Sequence, residues 1–242
     1  MKLAGKTALV TGGTDGIGAH LIRQLRDQGV TVIVAGRDPE RCAATRADDF
    51  EVLEADLASV AGVNALIAAV KDRAIDILVN NAGAGGTNHD YRTEAAPDID
   101  VADRVIFLNL NAPIRLIAGL MDGLRARPEA MIVNVTSGLA LAPRSGGPVY
   151  CASKAGLRSY TQALRAQLRG TSIHVLEALP PVVETKMTAG RGSRKMAPHE
   201  CARQIVSAMR AGRAEANVGL VKLLRVVYSI SPALVRRIML RF

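Results

Sequence analysis

Aromatic residues make up only 3% of the 242-residue chain, and tryptophan is absent. That excludes a row of stacking platforms, the usual device for holding single-stranded nucleic acid. Three cysteines in this length cannot make a disulfide framework, so a reducing, cytoplasmic setting is expected. The four histidines, His20, His89, His174 and His199, have no ligand spacing, and no metal site is expected. No uninterrupted apolar run reaches the roughly 18 residues that span a bilayer. The opening MKLAGKTALVTGG lacks a signal-peptide core and reads as a strand running into a glycine turn. What is present is ordinary globular material: 49% hydrophobic and 22% charged residues exclude wholesale disorder. The length fits one domain over 1–242.

The net charge of +9 is unevenly placed. Residues 186–242 hold 12 Lys and Arg against 2 Asp and Glu, whereas residues 1–185 hold 19 against 20. A neutral body with a cationic C-terminal part does not suit a nucleic-acid binder, and none is expected as a partner.

Apolar β-branched runs alternate with helical patterns. Strands are predicted at 6–11, 30–35, 50–55, 75–80, 130–136 and 172–179, with a short one near 216–219. Helices are predicted at 16–28, around 39–47, at 59–72, across 98–125 with the pattern broken by Pro113, and at 148–169 and 198–212. Continuous apolar strands are expected where both faces of a parallel sheet are covered. The pattern predicts an α/β, doubly wound (Rossmann-type) parallel sheet of six or seven strands with helices on both faces.

The first strand runs into TGGTDGIG at Thr11–Gly18 and then into a helix. Glycines in such a turn let the backbone approach a pyrophosphate, and the helix N-terminus favours the anion. The second strand ends Ala35-Gly36-Arg37, where an NAD site would place an acid for the ribose 2′-hydroxyl. A guanidinium there pairs with a 2′-phosphate instead, so NADP(H) is expected over NAD(H), with Arg41 assisting.

Tyr150 and Lys154 lie four apart in YCASK, on one face of a predicted helix. Ser137 stands 13 residues before Tyr150, after the fifth strand. A tyrosine hydroxyl can protonate a developing alkoxide, but its ordinary pKa near 10 is too high for easy exchange at neutral pH. A neighbouring cation favours the phenolate and lowers that value. Ser137 would aim the substrate oxygen. Hydride transfer at a carbonyl or secondary alcohol fits the set. A non-catalytic NADP-binding sensor on the same fold is the alternative, and it has no need of these side chains together.

With these residues in place, the chain resembles the short-chain dehydrogenases/reductases, in the branch related to the reductase of the lipoteichoic-acid D-alanylation operon. TGGTDGIG matches the family's cofactor turn, which implies contacts from Gly12, Thr14, Asp15, Gly16, Ile17 and Gly18. Asp56-Leu57 matches its adenine-pocket pair, and NNAG implies Asn80, Ala82 and Gly83 beside the cofactor. LNLNAP at 108–113 implies a catalytic Asn109 holding a water next to the lysine, with Asn111 as competitor. NVTSG implies catalytic Ser137, and YCASK implies catalytic Tyr150 and Lys154, which also touch the cofactor. PPVVET at 180–185 implies that Val183 and Thr185 meet the carboxamide, with Pro181 replacing the usual glycine. The resemblance further implies a homodimer or homotetramer built on the two long helices.

Substrate choice is expected from the loops 84–97, 139–148 and 186–198, the last a mobile substrate loop. Cys42, Cys151 and Cys201 read as packed thiols, Ser153 and Tyr160 as helix-face residues. The segment 216–242 carries Lys222, Arg225, Arg236, Arg237 and Arg241 with no Asp or Glu. It reads as two short amphipathic helices joined at Ser231-Pro232. Their apolar stripe packs on the core or a neighbouring subunit in one reading. In the other the basic face meets an anionic membrane or an acidic carrier protein, a peripheral contact.

Overall fold

A computed structural model describes residues 1–86, 90–92, 98–190 and 195–241. Its strands are β1 (Thr7–Thr11), β2 (Thr31–Gly36), β3 (Glu51–Glu54), β4 (Ile77–Asn80), β5 (Ala130–Val135), β6 (Ile173–Leu179) and β7 (Glu215–Asn217). They form one sheet in the order β3-β2-β1-β4-β5-β6-β7, every neighbouring pair parallel. The helices are α1 (Gly16–Asp27), α2 (Pro39–Ala47), α3 (Val60–Val70), α4 (Ile99–Ile106), α5 (Ala112–Arg125), α6 (Pro148–Gln167), α7 (Pro198–Arg210), α8 (Val221–Ile230) and α9 (Pro232–Met239). The doubly wound architecture expected from the alternation is the one observed. β7 starts one residue earlier and ends two earlier than predicted.

Local chemistry sets the helix starts. Asp15, Asp38, Ser59 and Asp98 each accept a backbone N–H at the N-terminus of α1, α2, α3 and α4. Proline, whose missing N–H costs nothing there, stands in the first turn of α2, α5, α6, α7 and α9. The sheet is covered on both faces. Leu21, Ile22 and Leu25 of α1 pack with Ile205 and Met209 of α7 against Val10, Val34 and Val133. On the other face Leu66 of α3, Leu116 and Leu120 of α5 and Leu164 of α6 pack against Leu9, Leu78 and Ile132.

The predicted helix over 98–125 is continuous rather than broken at Pro113. It widens into a π turn at Phe107–Asn111, where the Ala112 N–H reaches back to the Phe107 carbonyl. Pro113 has no N–H to close the regular bond on the Asn109 carbonyl, so the ladder must change pitch just before it. By length and composition alone Ile99–Arg125 is apolar enough to cross a membrane. Here it is a core helix: Leu116, Ile117, Leu120 and Leu124 are buried against the sheet.

Candidate active site

The carboxyl ends of the strands open on a cleft of about 450 Å³. It lies where the strand order reverses between β1 and β4, the place where such sheets bind ligands.

At the β1 end the chain turns through Gly12 and Gly16, at φ +64° and +52°, a region costly for any residue with a Cβ. A Cβ on Gly12 would stand 2.8 Å from the Ala82 Cα, and one on Gly16 would stand 3.0 Å from Thr185 Cγ2. The turn is thus pressed against the segments after β4 and β6. Gly12, Thr14, Asp15, Gly16 and Ile17 line the cleft, but Gly18 does not. A Cβ on Gly18 would collide with the Gly12 carbonyl oxygen and stand 2.6 Å from Asn81 Nδ2. Its part is to let α1 close on the turn. Gly18→Ala is expected to destabilise the fold by several kcal/mol and to weaken nucleotide binding at least tenfold, read by thermal melting and fluorescence titration. A variant with wild-type melting and binding would refute this packing.

Within NNAG the structure reverses the expected assignment. Asn80 lies inside the sheet, where its Nδ2 donates to Asn134 Oδ1 at 2.8 Å, and it does not reach the cleft. Asn81, which sequence reasoning passed over, does. Its Nδ2 donates to the Thr11 and Gly12 carbonyls, both at 3.0 Å, and locks the glycine turn. Thr11 Oγ1 accepts from the Asn81 and Ala82 N–H groups at 3.0 and 3.1 Å. The repeated Asn gave no sign of which one faces the cleft; the pairing of Asn81 with Thr11 decides it.

Arg37 stands past the end of β2 on the cleft rim, with Asp56 and Leu57 across from it. Its side chain is 62% exposed, and its nearest carboxylate is Asp56 at 3.9 Å. Arg41 is less available than expected. It pairs with Asp15 at 2.9 Å and faces Asp38 at 3.9 Å. A dinucleotide fits these residues. The positive-φ glycines bring bare backbone to the cleft beside the α1 N-terminus, and an open guanidinium waits at the β2 end.

The opposite end gathers Ser137, Tyr150 and Lys154, all lining the cleft. Ser137 follows β5, and its Oγ accepts from the Leu139 N–H at 3.1 Å. Tyr150 and Lys154 sit one turn apart on α6. Lys154 is buried, donates to the Val135 carbonyl at 2.9 Å, and is pulled down to about 8 by loss of hydration. Val183 and Thr185 line the same end; Thr188 Oγ1 braces them, donating to the Val183 carbonyl and accepting from the Thr185 N–H at 3.1 Å.

Asn109 lies just behind this group and not on the cleft surface. Fully buried, its Oδ1 accepts from Ala84 N–H and its Nδ2 donates to the Ala84 carbonyl, both at 2.9 Å, and to Ser153 Oγ at 3.0 Å. Both Nδ2 hydrogens are thus spent within the protein, and only Oδ1, with one lone pair still open, could meet the expected water. Asn111 is exposed and drops out as competitor. Ser153 is no helix-face residue: it is buried, and its Oγ donates to the Tyr150 carbonyl at 2.8 Å. Asn109 and Ser153 together tie the post-β4 segment to the first turn of α6. A Cβ on Gly83 would stand 2.9 Å from Asn109 Oδ1 and 3.4 Å from Lys154 Nζ, so Gly83 keeps that join tight.

Beneath the floor runs a charged chain. Thr136 Oγ1 donates to Glu177 at 2.8 Å, Arg158 bridges Glu177 and Glu215 at 2.5 and 3.1 Å, and Arg225 reaches Glu215 at 3.4 Å. Burial pushes the Glu177 carboxyl up while Arg158 opposes it. A lone Glu in the apolar run SIHVLEAL was the only sequence signal for it.

The thiols are buried as expected, and burial lifts Cys201 to about 12. No cluster able to hold a metal occurs among the described residues. In the loop 186–198, Met196 is paired with the Val182–Glu184 segment and Lys195 Nζ donates to the Thr188 carbonyl at 2.7 Å. Residues 191–194 lie outside the described residues, as do 87–89 and 93–97 of the loop 84–97, His89 included. Ser145-Gly146-Gly147 does not line the cleft.

The family model for short chain dehydrogenases matches residues 6–195. An uncharacterized oxidoreductase of Bacillus subtilis, DltE, is 40% identical over 189 residues, 76% of this chain and 74% of that protein. A short chain dehydrogenase from Burkholderia cenocepacia, solved in complex with NADP, superposes with a TM-score of 0.88 at 25% identity and covers 99% of both chains. A 3-ketoacyl-(acyl-carrier-protein) reductase from Brucella melitensis, complexed with NADH, superposes with a TM-score of 0.79 at 25% identity, over 88% of this chain and 96% of that one.

Proposed function

The chain belongs to the short-chain dehydrogenases/reductases, oxidoreductases that use nicotinamide cofactors, and on that premise we propose that it is an NADP(H)-dependent carbonyl reductase or alcohol dehydrogenase. The observation that carries the reading is one cleft with two equipped ends: the glycine turn and Arg37 at one, Ser137, Tyr150 and Lys154 at the other.

A nicotinamide cofactor held in the cleft would supply or accept the hydride. Ser137 Oγ donates to the substrate oxygen and aims it at Tyr150. The Tyr150 hydroxyl gives its proton to that oxygen as the carbonyl is reduced, or removes it in the alcohol-to-carbonyl direction. Lys154, charged at neutral pH, favours the phenolate and offers N–H donors to the nicotinamide ribose. Asn109 and Ser153 act through Lys154 and Tyr150 as positioning residues. Val183 and Thr185 would hold the carboxamide end, and Asp56 and Leu57 would border the adenine. A spectroscopic scan of NADPH oxidation against ketones, aldehydes and acyl thioesters tests the activity. No turnover on any class, with NADPH bound, would leave the non-catalytic sensor.

Cofactor preference rests on Arg37. Arg37→Ala is expected to weaken NADPH about tenfold to a hundredfold and leave NADH unchanged, since a charge-assisted contact contributes roughly 1.5–3 kcal/mol. Adding an acid at Gly36 would be a poorer test, because its Cβ would stand 2.6 Å from Thr14 Cγ2 and 3.0 Å from Cys42 Sγ. Wild-type protein that binds NADH as tightly as NADPH would overturn the assignment.

A further inference from the structure

The hairpin of α8 and α9 lies beyond the family-model match, which ends at residue 195, and no step above uses it. α8 packs inward through Val221, Leu224 and Tyr228 against Leu141 and Leu179. A surface helix anchored this way ordinarily turns a polar face outward. α8 does not. Leu220, Leu223, Val226 and Ile230, at or beside its start and along its outer side, are 71, 64, 56 and 79% exposed. Spaced by three or four residues, they form one apolar stripe opposite the anchored face. On α9, Leu234 and Ile238 are exposed as well.

The charges beside this stripe have one sign. Lys222, Arg236, Arg237 and Arg241 are exposed and make no ion pair among the described residues; Arg225 is held by Glu215. No Asp or Glu occurs in 216–242 to answer them. A second copy docked through this face would set like charges together without carboxylates to pair them, which is unfavourable. An anionic lipid surface meets both features at once: headgroups take the cations, and the acyl boundary takes the leucines.

We propose that the α8–α9 hairpin docks this enzyme peripherally on an anionic membrane surface. The hairpin cannot span. α8 and α9 have 10 and 8 residues, about 15 and 12 Å, against a hydrocarbon core of about 30 Å. It lies in the interface plane. Its start adjoins the cleft: a Cβ on Gly138, next to Ser137, would stand 2.8 Å from Val221 Cγ2. Docking would therefore bring the bilayer beside the cleft mouth.

The test is cosedimentation of the full chain with vesicles of phosphatidylcholine alone or with one-third phosphatidylglycerol, at low and high salt. Binding is expected only to the anionic vesicles and is expected to fall steeply with salt. Arg236→Gln with Arg237→Gln should weaken partitioning about thirtyfold, from about 1 kcal/mol per cation. Leu223→Ser with Ile230→Ser should abolish it. Both variants replace exposed side chains, and unchanged NADPH binding confirms that they fold. Light scattering of the same samples gives the oligomeric state. Absence of binding to anionic vesicles at low salt overturns the proposal, as does equal binding to neutral ones. So does a Leu223/Ile230 variant whose only change is dissociation of an oligomer, which would make this face a contact between copies. Binding of the face to a purified acidic carrier protein, with vesicles left untouched, overturns it equally.

Discussion

Tyr150→Phe is expected to lower turnover by two to four orders of magnitude on the best substrate of the scan, while NADPH binds nearly as before. In the proposed mechanism the hydroxyl exchanges the proton with the substrate oxygen, and general acid–base catalysis contributes about 10²–10⁴-fold. The ring stays in the Phe variant, so the cleft wall is kept. Lys154 still donates to the Val135 carbonyl, because that bond does not involve the phenol. Ser153 still binds the Tyr150 backbone carbonyl, because any side chain leaves that carbonyl in place. The expected signature is therefore a fall in kcat with the cofactor Kd unchanged. Turnover close to wild type would sink the proposed acid/base role and move the proton to another donor.

The fold was legible because its signals are local and repeated. The central strands are largely apolar runs, β3 (EVLE) and β7 (EAN) at the edges being the exceptions, and each early helix begins at an Asp or Ser cap or a proline, so order and type follow from the chain alone. The candidate site was legible where chemistry fixes spacing. Tyr150 and Lys154 share a helix face, and the glycines follow the first strand. What stayed hidden depends on packing between distant segments. The pairing of Thr11 with Asn81, across 70 residues, decides which Asn of NNAG meets the cleft. Ser153 looks like any helix serine until Asn109 reaches it from 44 residues away. Glu177 needs Arg158 and Thr136 from two other elements to survive burial. The π turn had a sequence cause, Pro113, but the sequence reading took that proline as a break. A proline removes one donor, and a helix held on both sides by packing absorbs that loss by changing pitch.

Lys154→Met is expected to remove activity and, without cofactor, to raise the melting temperature at pH 7. The wild-type ammonium is buried, and loss of hydration alone takes it from the ordinary 10.5 to about 8. In the unfolded chain the same group keeps its proton to about pH 10.4. Between these values the unfolded state binds more protons, so stability rises with pH across that window. Below pH 8 the folded protein carries the full cost of the buried charge, on the order of 3 kcal/mol. Met has similar length and no charge to desolvate. It forfeits the bond to the Val135 carbonyl, at 2.9 Å in the wild type, a loss of about 1 kcal/mol or more. A net gain of one to two kcal/mol remains, roughly 2–8 °C in a chain of this size. The sign with pH is the decisive part: the advantage of Met should shrink from pH 8 upward and be gone by about pH 10.5, where the folded lysine is neutral and the unfolded one about half so. A destabilised variant at pH 7, or an advantage that does not change between pH 7 and 10, would mean that the ammonium is not held dry. The expected pairing of lost turnover with gained stability would make Lys154 a residue kept for chemistry at the fold's expense.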